Sequence, residues 1–216
     1  NGNFQKLLNY SDKYHGIGFH FVSQPIQVLI SDFVSSYNEL SSYGGFLVSK
    51  HSVIFFIFSF SGIFFYLLCL KISKSVIFSF LSTSIYLLYP YLFGHAQINP
   101  KDIPFLSIWT IVTYFFLNIL EDIYSEKKIN KKAIIILSFF TAYLISIRIS
   151  GIIIFIEFIV GFAVLFNIKK INLYIFIKHN FSNFIIGIAA LLIFIYILNP
   201  VFWSNPLEFL NSIKWM

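Results

Sequence analysis

The chain has 216 residues and a formal net charge of +6; 58% of it is hydrophobic, 21% aromatic and only 11% charged. A soluble domain carries about 25% charged residues, so this composition excludes an ordinary globule and points to a multi-pass membrane protein. The lysines sit in short loops between apolar runs, not in the basic stripe that binds nucleic acid, so nucleic acid is not an expected partner.

In chain order, residues 1–45 are the most polar part. Phe19, Val22, Ile26, Leu29 and Phe33 recur at helical spacing there, which predicts helices lying along a membrane surface. Six spans are expected after them, at 46–70, 75–92, 103–120, 133–147, 151–166 and 181–198, each near the length that crosses the hydrocarbon, with the fourth and fifth short. Residues 199–216 form a tail. The fold class is therefore an all-α transmembrane bundle with an amphipathic amino-terminal region. Cys69, the only cysteine, lies within the first span and reads as a small packing residue. The chain begins at Asn1 and reads as an internal fragment of a longer protein.

Threading the spans alternately sorts the connections into two sets. One set (71–74, 121–132, 167–180) holds nine lysines; the short loops of the other (91–102, 148–150) hold only Lys101 and Arg148. The positive-inside rule puts the first set in the cytoplasm. The amino-terminal region, the loop around residue 97, Arg148 and the tail then share the outer face. That predicts one outer site assembled from four distant segments.

The chemistry concentrates in 90–104, where His95, Gln97, Asn99, Lys101 and Asp102 stand between three prolines. So dense a polar group is costly inside hydrocarbon and is expected in a loop or a wet cavity at the membrane edge, read here as an active-site loop. Asp102 reads either as a first-turn acid complementing a helix dipole or as an active-site acid. Gly94 before His95 suits a tight turn or a close approach. Arg148 is the only arginine in the chain and reads either as a snorkelling anchor or as a bidentate grip on a phosphate. Glu157 stands toward the middle of a span, where an acid marks a pathway or a buried partner. Asp12 and His15 read first as a solvated turn. His15 and His20 are five apart, poor spacing for two ligands on one helix face. Trp203, Pro206 and Trp215 read as interfacial anchors. No metal-ligand spacing, Gly-rich phosphate loop or Ser-His-Asp order is present, and no cofactor is assigned.

Phe93-Gly94-His95 followed by Asn99-Pro100-Lys101-Asp102-Ile103-Pro104-Phe105 resembles a motif of bacterial membrane glycosyltransferases of the protein-mannosyltransferase-like group, which have the GT-C fold. Ile147-Arg148-Ile149-Ser150-Gly151 is similar to the arginine-glycine signature of that group. Asn199-Pro200-Val201-Phe202-Trp203-Ser204-Asn205-Pro206 is similar to its outer Trp/Asn-Pro segment, and Asn9 to Gly16 to the end of its long first outer loop. The resemblance covers nearly the whole chain. It implies transfer of a sugar from a polyprenyl-phosphate donor to a lipid, glycan or protein acceptor, at the outer face of a bacterial inner membrane and among membrane lipids. It also implies roles: Lys101, Arg148 and His95 on the donor phosphate, Asp102 or Asp12 as the acid, and Asn99, Gln97 and Trp203 lining the site. The group's early Asp-Glu pair has no counterpart here and is expected upstream of Asn1. A transporter or lipid flippase is the alternative reading; it predicts polar residues along several spans.

Overall fold

The computed structural model describes residues 17–38, 42–126 and 129–214, and every regular element among them is helical. In order these are α1 (Ile17–Asn38), α2 (Ser42–Ser73), α3 (Val76–Leu88), α4 (Pro90–Ile98), α5 (Asp102–Tyr124) and α6 (Lys131–Ile147). A 3₁₀ turn (Ile149–Ile153) leads into α7 (Ile154–Lys169), followed by α8 (Leu173–Leu198), a second 3₁₀ turn (Pro200–Trp203) and α9 (Glu208–Ile213).

Local chemistry sets the boundaries. Ser75, Asn130 and Asn172 cap α3, α6 and α8 by accepting backbone N–H bonds from the first turn. Lys74 and Lys170 take left-handed backbone, with φ of 56° and 51°, where α2 and α7 stop.

Four helices, α2, α5, α8 and the unit of the 3₁₀ turn with α7, are long and apolar enough to cross a membrane. The pair α3 and α4, bent by 54°, makes a fifth if it counts as one span. Four, or five with the bent pair, of the six expected spans thus meet that measure of length and apolarity. The run taken as one span over 75–92 ends at Leu88, and Pro90 starts a new helix from its first-turn position, where its missing N–H costs nothing. α6 has 17 residues, the low end of the spanning range. Its last seven residues are all buried, which makes it the central post of the bundle. Helix α8 begins at Leu173, so Lys178 lies inside a helix and not in a loop. The basic turn expected at 71–74 is mostly the last turn of α2.

Ring and ion contacts fix the threading. Phe64 of α2 meets Tyr114 and Phe115 of α5, and Lys71 pairs with Glu121, so α2 and α5 run the same way. Phe139 of α6 meets Phe194 of α8, with Ser138 Oγ donating to the Gly187 carbonyl at 3.0 Å, so those two also run together. Lys71, Lys74, Lys131, Lys132, Lys169 and Lys170 consequently gather at one end, as the alternate threading predicts. At the other end Gly18 of α1 lies so close to Ser146 that a Cβ would sit 2.0 Å from its Oγ.

Ile54, Phe58, Ile108, Ile111, Val112, Leu144 and Ile147 form the buried centre. Phe80, Ile156, Ile159, Ile188 and Ile193 are exposed on the outer helix faces, an arrangement suited to hydrocarbon surroundings. In such surroundings apolar burial does not drive association, so close packing and a few polar bonds must. Gly161 against Phe116 supplies the first, Ser61 bonded to Tyr86 at 2.9 Å the second.

Candidate functional site

The segment 90–104 is not an open loop. α4 satisfies its own backbone, and only Asn99 to Lys101 separate it from α5. Asn99 makes that turn: its Oδ1 accepts the N–H groups of Lys101 at 3.1 Å and Asp102 at 2.9 Å. These bonds make an Asx-type turn that leads into α5, whose N-cap position is Lys101. The amide nitrogen of Asn99 donates to Asp102 Oδ2 at 3.0 Å and lies 3.4 Å from His95 Nδ1. The Asp102 carboxylate is thus aimed by a neighbour and is not spent on the cap.

Arg148 arrives from the end of α6 on extended backbone, φ −146° and ψ 132°. The 3₁₀ turn that follows is closed by Gly151 N–H donating to the Arg148 carbonyl at 2.8 Å. A Cβ on Gly151 would sit 2.9 Å from the Leu144 backbone, so only glycine lets the turn fold back on α6. The result aims the guanidinium at α5, where Arg148 Nη1 donates to Asp102 Oδ1. Asp102, Asn99, His95 and Arg148, all predicted site residues, therefore form one connected group.

His95 stacks obliquely on Tyr91, ring centres 4.3 Å apart. Gly94 has open space where its Cβ would be, so no close approach among the described residues explains it. Lys101 is half-buried beside Asp102. Gln97 is exposed on α4. Trp203 stands edge-on to Phe21 of α1 at 5.7 Å and donates from Nε1 to the Tyr196 carbonyl at 2.8 Å, which ties the tail to the amino-terminal helix. Asp12, His15 and Trp215 lie outside the described residues.

His20 of α1, which the sequence offers only as a poorly spaced ligand beside His15, takes its character from the fold. Its imidazole pKa is pushed down to about 4 by burial first, then by the positive charges of Lys50 and Lys101. The effect links α1, α2 and the start of α5 electrostatically; no local spacing could reveal it. Glu157 lies in the first turn of α7, one heptad below the group, and accepts from Trp109 Nε1 at 2.9 Å. It thus has the polar partner that an acid within a span calls for, in half-buried Trp109.

Three cations, Lys50, Lys101 and Arg148, thus share one end of the bundle with the carboxylate of Asp102 and two imidazoles. Charges of this kind suit an oxyanion, and a carboxylate can take a proton. Among the described residues no three His, Cys, Asp or Glu side chains come together as metal ligands. Comparison with known protein families, curated proteins and solved structures finds no match to this chain.

Proposed function

We propose that the chain carries the donor site of a membrane glycosyltransferase that moves a sugar from a polyprenyl-phosphate carrier to an acceptor hydroxyl. The observation that carries this reading is the Arg148–Asp102 pair, set beside Lys101 and His95 at the end of the bundle away from the lysine-rich connections. In the orientation given by the lysine bias this end faces outward, across a bacterial inner membrane.

A lipid-linked donor reaches such a site sideways from the bilayer. Its phosphate competes with Asp102 for Arg148, and a guanidinium grips it in bidentate fashion. Lys101 and His95 add charge or hydrogen bonds as the bond between the anomeric carbon and the phosphate oxygen breaks and negative charge grows there. Asp102, released from Arg148, accepts the proton of the acceptor hydroxyl as its oxygen bonds to the anomeric carbon. The products are the glycosylated acceptor and the polyprenyl phosphate, so atoms and charge balance. Trp203, Gln97 and Asn99 line the approach in this scheme, and Asp12 is an alternative source of the acid.

The test is to incubate membranes containing the full-length protein with a polyprenyl-phosphate sugar labelled in the sugar. Sugar-labelled acceptor should appear together with an equal amount of freed polyprenyl phosphate. Release of free sugar alone, or movement of intact donor across the bilayer without bond cleavage, would contradict transfer.

A further inference from the structure

α7 and α8 are joined only through 170–172, yet they lean on α5 and α6 more than on each other. Their rings touch near the connection, Phe166 against Phe176 at 4.9 Å. Beyond that contact the helices part around a cleft of about 380 Å³. Its walls are apolar and rich in aromatic rings, including Phe116, Phe158, Phe162 and Phe184. Ile159 and Ile188, exposed at its edges, leave it open sideways toward the bilayer.

The two ends of the cleft differ in polarity. Asn180 and Asn183 line the end nearer the lysine-rich connections, hydrogen-bonded to each other at 3.3 Å. Gly187 abuts Ile134, which puts the first turn of α6, with exposed Lys131 and Lys132, near the level of Asn183. Neither lysine has an ion-pair partner among the described residues. The inner end reaches Thr141, which is buried and whose Oγ1 has no hydrogen-bond partner among the described residues. From Lys131 to Thr141 the rise along α6 is about 15 Å. That is half of the roughly 30 Å hydrocarbon core, the depth of one leaflet.

We propose that this cleft binds one anionic phospholipid from the leaflet at the lysine-rich end. One acyl chain lies between α7 and α8 as far as Thr141, and the phosphate and ester region lie at the level shared by Asn180, Asn183, Lys131 and Lys132. The one-leaflet depth selects an acyl chain over a longer polyprenyl chain, and the lysines select an anionic headgroup. This site lies at the opposite end of the bundle from Arg148 and does not depend on the proposed transfer reaction.

The probe is native mass spectrometry of the full-length protein in detergent, with phosphatidylglycerol and phosphatidylcholine offered at equal concentration. Phosphatidylglycerol should be retained in preference. Lys131→Gln with Lys132→Gln should reduce its retention about 25-fold, since each lysine near the headgroups contributes about one fivefold factor. Ile188→Trp, a change at an exposed position, should fill the cleft and lower retention of both lipids. Equal retention of the two lipids by the unaltered protein, or wild-type retention in both variants, overturns the proposal. So does the absence of any retained phospholipid, which would leave the cleft to a helix of another protein.

Discussion

Arg148 and Asp102 are 46 residues apart, on the end of α6 and the start of α5, and the guanidinium Nη1 donates to the carboxylate Oδ1. The side chains keep 42% and 59% of their exposure, so the pair contributes less than about 1 kcal/mol to stability. A bond that stabilises so little, yet requires a glycine-closed turn on one side and an aiming asparagine on the other, is better explained by what it positions.

Arg148→Lys separates positioning from anchoring. Lysine keeps the charge and snorkels equally well but lacks the planar fork. Donor binding is expected to weaken about tenfold, the loss of one charge-assisted hydrogen bond, with expression unchanged. Saturation by the polyprenyl-phosphate sugar gives the answer; an unaltered half-saturation point would leave only an anchor.

Gly151→Ala tests the turn that carries Arg148. The new methyl group meets Leu144 backbone, which has nowhere to move. A loss of about 1–3 kcal/mol is expected, as for other overpacked positions. Gly94→Ala is the control, because its Cβ meets nothing within 4 Å. Equal thermal midpoints for the two variants in detergent would show that the turn tolerates a Cβ.

Much of this arrangement was legible in the sequence, and the failures have physical causes. The apolar runs marked the helices because long unbroken apolar segments leave few alternatives in hydrocarbon. Lysine placement sorted the two ends correctly, and thus brought Asp102 and Arg148 together before any contact was known. The segment 90–104 was misread as a loop since its prolines and polar residues look like breakers. Pro90 and Pro104 instead sit in first turns, and Asn99 makes the turn between the two helices. His20 was illegible because its surroundings come from Lys50 and Lys101, 30 and 81 residues further along the chain.

His20 gives a prediction in pH. Its folded pKa is about 4, below the ordinary 6.5, so the unfolded chain binds a proton first as pH falls. Stability is then full above pH 6.5 and declines toward pH 4. His20→Gln should lessen that decline, seen as a smaller drop in Tm between pH 7 and pH 4.5 in detergent. Parallel Tm profiles for variant and wild type would mean that the imidazole protonates freely.

Orientation is open to cysteine labelling. With Cys69 replaced by Ala, a cysteine at Gln97 should react with an impermeant maleimide from outside intact cells, and one at Lys170 only after permeabilisation. Reaction of both from the same side would invert or break the threading.

The most direct measurement is sugar transfer from the polyprenyl-phosphate donor by full-length Asp102→Asn, normalised to folded protein in membranes. Asparagine has nearly the same size, and Asn99 rather than the Asp102 side chain makes the turn into α5, so folding should be preserved. Loss of a group that accepts a proton costs about 10²–10⁴-fold in rate, so transfer should fall to about 1% or less. Retention of more than about a third of wild-type transfer, far above that range, would contradict the assignment of Asp102 as the acid of this site.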